Sequence, residues 1–219
     1  MCRRSSLPLA HSGAAELAAS SLGPPPAVLS SEPFRATLVA PETLFRISSY
    51  TTGEPFFGRS GGNRFDAPGW VAGASQFGAC YLGATLEVAL AESVLHDRLA
   101  VAGKFMVANT VLAGSYVHRF DGEKLRLLNL TGAILKRLNG HAELTGTGDY
   151  HLPQQWSLAV FNNPAMYDGF IYASRHATLS KAVVLFDRAQ SKLHSASHSV
   201  LIRTPGYVTV ARKFGIVGI

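Results

Sequence analysis

Residues 79–97, ACYLGATLEVALAESVLHD, set a short strand against a helix that carries an acid among apolar neighbours. Ala79 to Leu82 are small or apolar and run into Gly83, which reads as the end of a strand. Thr85 is placed to cap the first turn of a helix that the spacing predicts to about Asp97. At 3.6 residues per turn, Leu86, Ala89, Leu90, Ser93 and Val94 share one face, while Val88, Ala91 and Leu95 fill most of the other. Glu87 is exposed between them. Glu92 falls beside Val88, Ala89 and His96, and so points into packed protein or a cleft. A lone carboxylate there is costly, so it requires an arginine partner or a chemical role.

Length and charge bound the possibilities. The 219 residues can hold one sizeable domain, or a domain plus a tail, with an ordinary 47% hydrophobic content. Twenty Lys and Arg against fourteen Asp and Glu give +6, which suits an anionic partner. The basic residues are scattered singly and form no nucleic-acid tail, which favours phosphates held in a pocket. Cys2 and Cys80 are far apart and have no Cys/His company, so neither a disulfide framework nor a zinc site is expected. A reducing, cytoplasmic setting is the default. No apolar run is long enough to span a membrane, and Arg3-Arg4 with Leu7–Ala10 makes too short and broken a run for a signal peptide.

Residues 1–36, rich in Ser, Ala and Pro, read as a flexible leader, and residues 37–219 as the domain. Within the body, Thr43 to Ser48 alternates as a strand carrying Arg46. Gly53 to Trp70 is a long loop holding Arg59 and Arg64, of a length that usually serves function. Strands are expected over Lys104–Leu112, Tyr116–Phe120, Leu125–Leu130, Gly169–Ala173, Ala182–Phe186, Val200–Arg203 and Tyr207–Ala211. Helices are expected over Gly132–Leu138, capped by Thr131, and Tyr150–Phe161, with a loop over Gly140–Gly148. Strands and helices do not alternate regularly, so the pattern predicts an α+β domain with mixed, mostly antiparallel sheets.

No GxxxxGK[ST] or GxGxxG loop is present, so phosphates must be met by side chains. Arg46, Arg59 and Arg64 are the candidates, since a guanidinium offers a planar fork to phosphate or carboxylate. One of them is a natural partner for Glu92; all three can equally be solvated loop arginines. His194 and His198 have metal-pair spacing but no third ligand, so no metal is expected. His118, His141 and His151 read as surface or loop residues, and His176 has no evident acidic orienter. No GxSxG elbow supports a serine hydrolase. Tyr81, just before the helix of Glu92, is the aromatic placed to stack on a ligand.

Taken together, Arg46 in LFRIS, Arg64 in NRFDAPG, Tyr81 and Glu92 in CYLGATLEVALAES, and Ser174 in DGFIYASR followed by AVVLFD resemble the RES domain, over roughly Pro41 to Arg188. The resemblance implies a fold similar to ADP-ribosyltransferases. It implies a bacterial toxin partnered by an Xre-type antitoxin or another inhibitor, or an effector delivered to a target cell. The activity it implies is NAD depletion by phosphorolysis or hydrolysis of the nicotinamide–ribose bond. NAD is then a substrate, inorganic phosphate a possible second substrate, and no cofactor is needed. The catalytic set it implies is Glu92, Arg46 and Arg64: Glu92 would stabilise the oxocarbenium-like ribose, and the two arginines would hold the phosphates of NAD or the incoming inorganic phosphate. Tyr81, Ser174 and Arg59 are the substrate-binding candidates, with Tyr81 against nicotinamide or its ribose and Ser174 hydrogen-bonding substrate. Transfer of ADP-ribose to a protein or nucleic acid, and a basic binding module in which Glu92 merely pairs with an arginine, are the competing readings. A homodimer is the expected assembly.

Overall fold

Alternation along the central strands demands a sheet covered on both faces. Ala79 and Tyr81 turn to one side with Phe170, Tyr172, Ala182, Val184 and Phe186. Cys80 and Leu82 turn to the other with Leu127, Ile171, Val183 and Leu185. The computed structural model describes residues 22–69, 75–177, 180–194 and 197–219. Cys2, Trp70 and the expectations for residues 1–21 lie outside them.

In chain order come α1 (Val28–Ser31), β1 (Thr37–Val39), β2 (Arg46–Ser48), β3 (Ala79–Gly83), α2 (Leu86–Ala91), β4 (Phe105–Val107), α3 (Asn109–Ala113) and β5 (Tyr116–His118). The chain continues through β6 (Asp121–Gly122), β7 (Leu125–Asn129), α4 (Gly132–Arg137), α5 (Glu143–Gly146) and α6 (His151–Phe161). The remainder is β8 (Gly169–Ala173), β9 (Lys181–Phe186), β10 (Leu193–His194), β11 (His198–Val200), α7 (Tyr207–Phe214) and β12 (Ile216–Gly218). The main sheet has the order β1-β7-β8-β9-β3 and is antiparallel except for β7 with β8. That parallel pair needs a long crossover, which α4 to α6 supply. A second sheet, β11-β5-β2, is antiparallel, and paired hydrogen bonds between Phe45 and Gly83 tie its β2 end to β3. The α+β expectation is met.

One face of the main sheet is closed by α6 and the loop around Phe65, with Trp156, Tyr167 and Phe170 fully enclosed. A third apolar cluster joins α2, β5 and the turn after β11 through Leu90, Val117 and Leu201, and α7 packs on it through Tyr207, Val210 and Phe214. Residues 22–36 belong to the fold and not to a flexible leader. Leu22 and Leu29 are buried in the main core, Asn163 Nδ2 donates to the carbonyls of Leu29 and Glu32, and Trp156 Nε1 donates to Gly23 O.

Several local expectations are corrected. Lys104–Leu112 is a strand only to Val107, after which Asn109 opens α3. Thr43 ends a 3-10 turn, so β2 starts at Arg46. Gly140–Gly148 contains α5, and Leu201–Arg203 is a 3-10 turn. Thr131 precedes α4, but its hydroxyl donates to Asn129 Oδ1 and does not cap the helix. Tyr207–Ala211 is helical in α7, because positive-φ Gly206 and Gly215 bound the helix at both ends and only one face of it, Tyr207, Val210 and Phe214, packs on the domain. His118 is no surface residue: it is buried in β5, with Nε2 2.9 Å from Tyr50 O. His194 and His198 lie on β10 and β11, not on one helix.

Candidate active site

The site begins where β3 meets α2. A Cβ at Gly83 would lie 2.4 Å from Ala89 N, so only glycine lets the helix pack against the strand end. Thr85 caps α2 as expected, its Oγ1 accepting from Val88 N at 3.2 Å. The helix is shorter than its apolar pattern predicts. It ends at Ala91, Ser93 Oγ donates to Ala89 O at 2.5 Å, and Leu95 N turns back to Leu90 O. Glu92 is therefore the C-cap, aimed out of the last turn into a cavity of about 570 Å³. That volume suits a nucleotide-sized ligand.

Glu92 makes no ion pair within 4.0 Å among the described residues. Its Oε1 accepts a 2.5 Å hydrogen bond from Ser174 Oγ. Ser174 is buried, at the end of β8, and its Oγ also accepts from the backbone N–H groups of His176 and Ala177 at 3.2 and 3.0 Å. Every bond the hydroxyl makes is internal, so Ser174 orients Glu92 and does not itself face the cavity.

Arg46, Arg64 and Tyr81 all line the cavity with Glu92. Arg46 does not pair with Glu92. Its Nε binds the enclosed carboxylate of Glu54 and its Nη1 donates to Tyr81 O at 3.2 Å. Burial alone would raise the Glu54 carboxyl, but the Arg46 hydrogen bond and charge outweigh it and hold Glu54 below its ordinary 4.5. Arg64 is 9% exposed, its Nη1 donates to Thr147 O at 2.6 Å, and its guanidinium lies over the Tyr150 ring at 4.6 Å. Its Nη2 is buried without a hydrogen-bond partner among the described residues. Burial and the neighbouring Arg175 charge lower its pKa, which marks a cation short of anionic company. Arg59 departs from expectation: it is paired with Asp187, donates to Ser75 O, is half exposed, and does not contribute to the cavity wall.

The arginine loop is held by a residue the sequence reading passed over. Asp66, 1% exposed, accepts from Ser60 Oγ, Asn63 N and Asn63 Nδ2 through Oδ2, and from Tyr81 OH through Oδ1, all at 3.0–3.1 Å. Four donors satisfy a carboxylate that would otherwise be costly to bury. The phenol of Tyr81 also accepts from Phe65 N, so the ring is fixed at the wall, and burial together with Asp66 holds its pKa well above the usual phenol value. Arg175, Tyr150, His96 and Tyr172 also line the cavity. His176 does have an acid nearby, namely Glu92; burial nevertheless keeps its imidazole below the ordinary 6.5. The signal for Arg175 and His176 was their position directly after Ser174; the signal for Asp66 was its place between Phe65 and Pro68 in a loop that must be held.

An α+β fold carrying arginines, tyrosines and one uncompensated glutamate on a single cavity agrees with the sequence comparison. A family model described as the RES domain matches residues 43–205. The chain belongs to the RES domain family. Its fold is similar to that of a chain in the crystal structure of the M. tuberculosis MbcT–MbcA toxin–antitoxin complex, with a TM-score of 0.54 and 17% identity over 81% of this chain and 93% of that one. No curated protein matches the chain by sequence.

Proposed function

We propose that the protein is a toxin-type enzyme that depletes NAD by breaking the bond between nicotinamide and ribose. The observation that carries this reading is Glu92, a carboxylate oriented by Ser174 and, among the described residues, left without a cation, on a cavity that holds Arg64 with one nitrogen unpartnered by them. Membership of the RES family supports it, as does the fold likeness to a chain of a toxin–antitoxin complex.

In the reaction the C–N bond electrons leave with nicotinamide, which departs neutral, and positive charge develops on the ribose. A fixed carboxylate is worth more to that cation than to the ground state, so Glu92 lowers the barrier. Arg64 and Arg175 hold the pyrophosphate, Arg46, its charge met by Glu54, shapes the same wall, and Tyr81 and Tyr150 pack against the bases or sugars. Ser174 is a positioning residue and Arg59 a scaffold residue. Phosphate as acceptor gives ADP-ribose 1″-phosphate; water gives ADP-ribose. A cognate antitoxin, Xre-type by the family resemblance, is the partner that would occlude the cavity.

The test incubates purified protein with NAD, with and without inorganic phosphate, and separates the products by mass. Free nicotinamide with ADP-ribose or its 1″-phosphate supports the reading. Label from adenylate-labelled NAD attached to macromolecules would instead identify an ADP-ribosyltransferase.

A further inference from the structure

Glu92 has neighbours that the chemistry above leaves idle. Its carboxylate and one ring nitrogen each of His96 and His176 lie within 4.8 Å of one another. His96 follows Glu92 by four residues on the turn after α2, and His176 follows Ser174 by two at the end of β8. The imidazoles sit 4.9 Å apart between centroids, tilted by 57°. His96 Nδ1 is buried with no hydrogen-bond partner among the described residues. Ser174 takes Glu92 Oε1, which leaves Oε2 without a protein donor among the described residues.

Two imidazole nitrogens and one carboxylate oxygen are the donor set of open zinc sites, in which a fourth position is left for water or ligand. Tetrahedral bonds of about 2.1 Å place ligand atoms roughly 3.4 Å apart. The three side chains are only partly buried, so modest rotations bring them from their present separation to that one.

We propose that Glu92, His96 and His176 bind a divalent transition-metal ion of the zinc class, and that the ion, by taking the Glu92 carboxylate, switches the cavity off. The switching half rests on the function proposed above. Two cations oppose the ion: Arg175, whose Nε donates to His176 Nε2 at 3.0 Å, and Arg64 across the cavity. Coordination through that nitrogen displaces Arg175. The opposition selects for ions with strong imidazole affinity and against magnesium or calcium, which prefer oxygen ligands. Once bound, the dication occupies the region where the ribose cation would form, and it withdraws the stabilising carboxylate.

The test uses full-length, untagged protein, with cobalt(II) as the spectroscopic probe and zinc(II) followed by calorimetry. One equivalent of cobalt with tetrahedral visible absorption is expected. His96→Gln and His176→Gln should each weaken zinc binding by at least about tenfold, the lower end of what removing even an outer-shell partner costs. Zinc should inhibit NAD consumption by the unsubstituted protein and inhibit His96→Gln far less. Absence of stoichiometric binding, or equal affinity in both variants, overturns the site. Binding that depends on both histidines, in a protein that leaves NAD intact, keeps the site and overturns the switch.

Discussion

Ser174 Oγ and Glu92 Oε1, 82 residues apart in sequence, are joined by a 2.5 Å hydrogen bond. The bond fixes the carboxylate at the end of α2 against the end of β8, so the position of the acid depends on two elements packed at different stages of the chain.

Ser174→Ala frees Glu92 to rotate while leaving its charge in place. Displacement of a catalytic group by about an ångström costs on the order of 100-fold. The expected result is a kcat lowered by roughly 10- to 100-fold with KM for NAD little changed, measured by steady-state kinetics; a change in KM alone would place Ser174 on the substrate instead.

The Arg46–Glu54 pair makes a pH-dependent contribution. Glu54 is depressed below 4.5 in the fold, so the stability it supplies is present above that pH and is lost as pH falls through the folded value. Its side chain is 4% exposed, so Glu54→Gln strands the Arg46 charge and should cost about 3 kcal/mol or more at pH 7. Denaturant unfolding across pH should show the gap between variant and parent closing below pH 4.5.

Arg64 stacks on Tyr150 and holds one nitrogen free, a geometry lysine cannot reproduce. Arg64→Lys should therefore behave nearly as Arg64→Ala, each raising KM for NAD by at least about tenfold, consistent with loss of a charge-assisted hydrogen bond. Full activity in the lysine variant would show that only the charge matters.

Gly83→Ala drives a methyl into Ala89 N and should destabilise by about 2 kcal/mol or more. Gly148→Ala, where nothing lies within 4 Å of the added carbon, should be close to neutral. Thermal unfolding of the two variants separates a packing requirement from loss of glycine as such.

Local chemistry made the strand–glycine–threonine–helix junction legible: Thr85 does cap α2, and β3, β7, β8 and β9 fall where their apolar runs place them. The end of α2 was hidden because Val94 and Leu95 continue the apolar pattern, while the stop comes from the Ser93 side chain. Val208, Thr209 and Val210 favour a strand by their branching, but bounding glycines and the packing of Tyr207, Val210 and Phe214 on the cluster of Leu90 and Leu201 go with a helix in α7. Charge partners were the least legible. Arg46, Arg59 and Glu92 each had several acceptable mates, and only the topology assigns them to Glu54, Asp187 and Ser174. The cavity's basic and aromatic character was visible in the loop around Arg64; Arg175 was marked only by its place after Ser174, and that it faces the cavity follows from β8 ending beside α2.

The most direct measurement is NAD consumption by the purified protein against Glu92→Gln, with folding of both checked by circular dichroism and any co-purified inhibitor excluded by mass. The account predicts loss of NAD with release of nicotinamide in the parent, and a drop of at least about 100-fold in the variant, as expected when a main electrostatic stabiliser is removed. Equal rates in both proteins, or intact NAD in both, would contradict it.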